Sequence, residues 1–157
     1  MKRYILSFFL IASLSMFSCQ KKNIYKEFHE FKNYSWGRFD KVTFNIPIDK
    51  KSIKSEADIV LSIRHLDQYP YDNLPLNIIL RTPSGEERVL EKDIELKDSN
   101  HEFKGSVAGS YWDYDEILWK GFYFNMEGTY TIELENLNPR VNIPGLVDLG
   151  LTVKRTK

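Results

Sequence analysis

Val42-Thr43-Phe44-Asn45-Ile46-Pro47-Ile48 alternates apolar and polar residues through seven positions. Side chains on an extended chain point to opposite faces at period two, so Val42, Phe44, Ile46 and Ile48 would line one buried face. Pro47 has no N–H to give to a ladder, which predicts that this strand ends or lies at a sheet edge. The pattern recurs at Ile59, Leu61 and Ile63, at Leu76, Ile78 and Leu80, and at Phe122, Phe124 and Met126 before a break at Glu127-Gly128. It returns at Tyr130, Ile132 and Leu134, and closes with Val147, Leu149, Leu151 and Val153. Thr82-Pro83-Ser84-Gly85 has the Pro and Gly of a tight turn, with a returning strand near Arg88 to Leu96. The fold class expected is all-β: a single antiparallel β-sandwich, jelly-roll or Ig-like, with about seven to eight strands. No segment has a sustained helical period, and only Asp113 to Lys120 has room for one or two helical turns, with Ile117 and Leu118 inward.

The chain has 157 residues, 42% of them hydrophobic and 14% aromatic, enough for one packed core and too much for a disordered chain. Lys+Arg and Asp+Glu are equal at 22 each, so the chain lacks the basic surplus by which proteins hold nucleic acid. The single cysteine excludes an intramolecular disulfide and a Cys-based zinc site.

That cysteine stands at the end of an address. Lys2 and Arg3 precede an apolar run from Tyr4 to Phe17, too short to span a bilayer but the length of a secretory h-region. The run ends in Met16-Phe17-Ser18-Cys19, which resembles a bacterial lipobox, where a small residue precedes the cysteine that is acylated. The organisation expected is a signal peptide over 1–18, a lipidated N-terminus and tether over 19–30, and the sandwich over 31–157. Acyl chains on Cys19 would hold the protein at a membrane. Asp is absent after Cys19, which by analogy with proteobacterial sorting favours the outer membrane.

Motifs for chemistry are scarce. There is no Gly-x-Ser-x-Gly, no Gly-rich phosphate loop and no His-Glu-x-x-His. His29, His65 and His101 lie far apart and do not have metal-ligand spacing. Neither metal nor cofactor nor small-molecule substrate is expected. The densest polar and aromatic stretch is Tyr111-Trp112-Asp113-Tyr114-Asp115-Glu116, followed by Trp119. These rings either pack over one end of the sandwich or form a partner surface; Trp112, Tyr114 and Trp119 could also stack on sugar rings. Asp113 and Asp115 raise glycoside hydrolysis as a third reading, which requires two carboxyl groups at a set separation across a cleft. Tyr69-Pro70-Tyr71-Asp72-Asn73-Leu74-Pro75 reads as a rigid turn joining two strands, with Tyr69 and Tyr71 available as structural rings or as anchors for a partner. Ile143-Pro144-Gly145 is a similar turn before the last strand.

The signal with Cys19, the Tyr69–Leu74 tract, the stretch Gly105 to Trp119, Gly128-Thr129-Tyr130-Thr131 and Ile143-Pro144-Gly145-Leu146-Val147-Asp148-Leu149-Gly150-Leu151 together resemble the GldH-type gliding-motility lipoprotein family of the Bacteroidetes. The resemblance implies a non-enzymatic envelope lipoprotein, needed for gliding and associated with type IX secretion. It also implies partners among other gliding or secretion lipoproteins, and it carries Cys19 over as the lipidation site. A glycan-binding lipoprotein is the alternative.

Overall fold

The computed structural model describes residues 23–156, so the expected signal peptide, Cys19 and its immediate neighbours lie outside the described residues. Eleven strands occur within them: β1 Asn23–Glu30, β2 Ser35–Gly37, β3 Val42–Ile48, β4 Glu56–Leu66, β5 Asn73–Arg81, β6 Glu87–Glu95, β7 Ser106–Ala108, β8 Tyr111–Tyr123, β9 Gly128–Asn136, β10 Asn142–Pro144 and β11 Leu146–Arg155. The all-β expectation stands, but the count exceeds seven or eight. Three of the additions, β2, β7 and β10, are three residues long and too short for periodicity to reveal.

All pairings are antiparallel and build a five-stranded sheet, β1-β11-β4-β8-β7, a four-stranded sheet, β3-β9-β5-β6, and a two-stranded β10-β2 ribbon. The alternating residues read from the sequence face inward except Val147: the register shifts between Leu146 and Asp148, and Leu146 takes its place in the core. Phe44 and Ile46 of β3, Leu76, Ile78 and Leu80 of β5, and Ile132 and Leu134 of β9 form one hydrophobic cluster with Ile59, Leu61 and Ile63 of β4 and Leu149, Leu151 and Val153 of β11. Burial of these side chains from both sheets, each removing roughly 1.5–3 kcal/mol of unfavourable hydration, is the main cohesive force. β3 is an edge strand, which accommodates Pro47 without a broken ladder.

Two expectations are corrected. The tether assigned to 19–30 is strand over 23–30: β1 pairs with β11 from Asn23↔Lys154 to Glu30↔Asp148. Only Ile24 and Tyr25 of β1 pack partly against the core, and the remaining residues, Phe28 among them, are exposed, which hid the alternation. Asp113–Lys120 is not helical but the middle of β8, a thirteen-residue strand along β4. The register shifts between Ile59↔Trp119 and Val60↔Ile117, a bulge that puts Ile117 outward and Leu118 inward. Two apolar neighbours across that bulge mimic a helical turn in sequence.

The turns fall where Gly, Pro and Asx residues lie. Residues 67–72 join β4 to β5, and 82–86 join β5 to β6. Ile143-Pro144-Gly145 closes onto the core: Gly145 N–H donates to the Tyr34 carbonyl at 2.7 Å, and the Gly145 carbonyl accepts from Leu66 N–H at 2.8 Å. Gly145 has φ +87°, and a Cβ there would meet the Tyr69 backbone at 3.1 Å, so both conformation and space call for glycine.

Candidate functional site

The structure brings three of the five candidate aromatics, Tyr69, Tyr71 and Trp112, into one cluster and leaves Tyr114 and Trp119 outside it. Trp112 lies opposite His65 in the β4–β8 pair, at the end of the molecule that carries loops 67–72 and 96–105. There a run of rings forms: Trp112 to Phe103 at 5.5 Å, Phe103 to His65 at 4.5 Å, His65 to Tyr69 at 5.3 Å, and Tyr69 to Tyr71 at 5.6 Å. Tyr69 is only 2% exposed, and its hydroxyl donates to the Asn73 carbonyl at 3.1 Å. Burial pushes its phenol pKa upward. Tyr69 therefore belongs to the core, while Tyr71 and Trp112 keep a partly exposed edge. The Trp112 indole N–H donates to Asp67 at 3.2 Å.

Tyr114 sits one inward step further along β8, opposite Ile63, half-buried against the core with its hydroxyl on Glu116 at 3.0 Å. Trp119 is beyond the bulge towards the other end, edge-on to Phe122 at 6.3 Å. Trp112, Tyr114 and Trp119 do not form one exposed stacking plane. The residues that complete the cluster, His65 and Phe103, carried no motif; only the inward phase of β4, which includes position 65, could have located the histidine. His65 is fully buried, with Nδ1 at 2.9 Å from the Leu66 carbonyl. That contact requires a proton on Nδ1 and leaves Nε2 without a hydrogen-bond partner among the described residues. Burial holds its pKa below the usual 6.5, so the ring is neutral at pH 7.

A second constellation lies on the outward face of the five-stranded sheet, in a shallow cavity of about 490 Å³. Strand alternation brings Phe28 of β1, Asp148 of β11, Ser62 and Arg64 of β4, and Asp113 and Asp115 of β8 into it. Arg64 makes a two-pronged contact with Asp113, Nε to Oδ1 at 2.7 Å and an Nη to Oδ2 at 3.0 Å, and its other Nη is 3.7 Å from Asp148. The guanidinium holds the Asp113 carboxyl below its ordinary pKa, whereas burial raises that of Asp148 despite the same neighbour. Ser62 donates to Asp115 at 2.6 Å. Asp113 and Asp115 thus share a cavity, but an ion pair and a hydroxyl occupy them. A glycosidase general acid needs a carboxyl raised by its surroundings, and Asp113 is shifted the other way. Among the described residues, no group of three or more His, Cys, Asp or Glu side chains is placed to hold a metal.

Comparison with known proteins agrees with the sequence motifs. A profile described as GldH lipoprotein matches residues 23–153, from the first residue of β1 to within two residues of the end of β11. The chain belongs to the GldH lipoprotein family. Gliding motility lipoprotein GldH of Flavobacterium johnsoniae is 27% identical over 149 residues, covering 91% of this chain and 88% of that protein. Membership in this family implies lipid-mediated association with the cell envelope. Two solved structures are similar in part. A family GH115 4-O-methyl-alpha-glucuronidase with specificity for decorated arabinogalactans aligns with TM-score 0.40 at 13% identity, covering 78% of this chain and 14% of that one. The Yersinia pseudotuberculosis-derived mitogen aligns with TM-score 0.33 at 10% identity, covering 85% and 84%. At such TM-scores neither likeness bears on the chemistry of this GldH-family chain.

Proposed function

We propose that this chain is a non-enzymatic lipoprotein, acylated on Cys19, held at the outer membrane and acting as an accessory component of the gliding-motility and type IX secretion apparatus. The observation that carries the reading is the extent of the family match: residues 23–153 take in both sheets, short of the last two residues of β11, and the whole aromatic end. The sandwich is a rigid carrier in this reading. Tyr71 and Trp112, backed by buried Tyr69, His65 and Phe103, offer a preordered aromatic edge to another lipoprotein of the apparatus. Rings fixed from behind lose little conformational freedom on docking, which is why they serve as interface anchors. Lipid confines the protein to the membrane plane and raises its effective concentration for partners there.

A clean deletion in the source bacterium, scored for colony spreading and for type IX cargo in the medium, tests the reading. Loss of both is expected, with restoration by the parent gene and none by Cys19→Ala. Normal spreading and normal secretion in the deletion strain would overturn it.

A further inference from the structure

β1 is an open edge of the five-stranded sheet: β11 pairs with one side of it, and among the described residues no strand pairs with the other. Residues 26–30 are all exposed, so that side is uncovered. The backbone fixes which residues address it. Phe31 N–H donates to the Val147 carbonyl at 2.9 Å and continues a register in which His29 faces Leu149 and Phe28 faces Gly150. Antiparallel pairs alternate between bonded and non-bonded, so Glu27 and His29 turn their amides to β11. Lys26, Phe28 and Glu30 turn theirs to the open side. The same three carry their side chains on the outward face of the sheet, beside Thr152, Gly150 and Asp148.

Charges on an edge strand ordinarily discourage pairing with another chain. The order Lys26-Glu27-Phe28-His29-Glu30 does the reverse in one register. Turned antiparallel on a second copy and centred on Phe28, it sets Phe28 against Phe28. Lys26 then meets Glu30, and Glu27 meets His29, each pair occurring on both sides of the centre. Centring on Glu27 or on His29 instead sets that residue against itself, and Phe28 against Lys26 or Glu30. Among the described residues neither Lys26 nor Glu30 forms an ion pair, and Glu30 stands opposite Asp148, a like charge. Glu27 accepts from the Tyr25 hydroxyl through one oxygen and keeps the other for an imidazole.

We propose that β1 is a homodimerisation edge, to which a second copy of this chain adds its own β1 antiparallel about Phe28. Lys26, Phe28 and Glu30 exchange main-chain hydrogen bonds with their counterparts, and two five-stranded sheets join into one. The interface is isologous, with a two-fold axis normal to the sheet that keeps facing residues on one face. Its contact is short, so pairing draws on the effective concentration supplied at the membrane by the acylation of Cys19 proposed above. With the axis normal to the bilayer, both anchors stand at one height.

Disulfide capture in membranes of the source bacterium, with the full chain, tests this. Facing Cα atoms of a bonded antiparallel pair are about 5.5 Å apart, within disulfide reach. Phe28→Cys should give a reducible band of twice the chain mass, its bridge placed by mass spectrometry between position 28 of the two copies. Lys26→Cys alone and Glu30→Cys alone should give none, because each lies about 14 Å along the strand from its own counterpart. On two differently tagged copies, Lys26→Cys and Glu30→Cys should cross-link to each other. Lys26→Glu is expected to lower the Phe28→Cys yield about tenfold, and Glu30→Lys added to it to restore the yield. All these side chains are exposed, and the variants should melt close to the parent. No bridge from Phe28→Cys, equal bridging from the three single variants, or a yield indifferent to the charge changes overturns the pairing. Capture of Phe28→Cys by a different protein and not by its own copy also overturns it, and gives the edge to another partner. Flotation of the same membranes reads the Cys19 anchor separately, so a failed anchor and a failed pairing are distinguished.

Discussion

Phe28 and Gly150 face each other across the β1–β11 pair, and the phenyl ring occupies the space a side chain at 150 would need: a Cβ there would sit 2.6 Å from the ring Cδ1. Phe28 is half exposed, with the Lys26 ammonium 5.0 Å from its centroid, so the ring is free to be displaced. Gly150→Ala is expected to push it off the sheet and loosen β1, with a cost of about 1–2 kcal/mol from overpacking. Hydrogen exchange should accelerate in the amides of β1 while those of β9 are unchanged. Equal melting temperature and equal exchange in β1 would show that the ring adapts without cost. The consequence reaches function because β1 joins the domain to its anchor.

Arg64 is the hub of the outward face, shared between Asp113 and Asp148. Arg64→Ala is expected to cost about 1–2 kcal/mol in urea unfolding, discounted because Arg64 and Asp113 are partly solvated. Asp113 has a folded pKa depressed below 3.8, so its contribution is complete above that value and is lost as pH falls through the depressed one. Asp148, raised by burial, has the opposite sign: ionising it costs stability as pH rises through its elevated pKa. The difference between parent and Asp113→Asn isolates the first effect. Acid melts should show the parent losing more stability than the variant below pH 3.8.

His65 is neutral and buried with its folded pKa below 6.5. The unfolded chain therefore binds the extra proton first on acidification, so stability is complete above 6.5 and declines as pH falls below it. Thermal melts between about pH 7.5 and pH 5 should show a slope that His65→Leu reduces. An identical slope in the variant would assign it to other groups.

Tyr69 and Tyr71, two positions apart in one turn, should separate in their effects. Tyr69→Phe removes the bond to the Asn73 carbonyl and is expected to cost about 1 kcal/mol, and Tyr69→Ala about 3–5 kcal/mol by leaving a cavity. Tyr71→Ala and Trp112→Ala should melt close to the parent yet reduce colony spreading. If Tyr71→Ala unfolds the protein as Tyr69→Ala does, the aromatic edge is packing and not a docking surface.

The long strands of the four-stranded sheet were legible because their two faces meet different surroundings. β3, β5 and β9 place one face against the other sheet, and selection for that burial writes period two into Val42–Ile48, Leu76–Leu80 and Tyr130–Leu134. β1 and β8 lacked this contrast. β1 is an edge strand exposed on both faces beyond Tyr25, and β8 carries a bulge that breaks its phase at Ile117 and Leu118. The turn at Tyr69–Pro75 was legible from its Pro and Asx residues, but which of its tyrosines is buried was not, since that depends on Gly145 arriving from far along the chain.

Local chemistry written in consecutive residues needs no third dimension: the alternating strands, the proline and glycine turns and the ordered family motifs were all determined by the sequence alone. Contacts between residues far apart in the chain were decided by the tertiary structure. Pairing β4 with both β11 and β8 set Arg64 between Asp148 and Asp113, and the antiparallel ladder brought Asn23, Glu56, Tyr123 and Lys154 to one end. The physical reason is that period two fixes which face a side chain takes, whereas strand order and register, set by packing of the whole core, fix its neighbours.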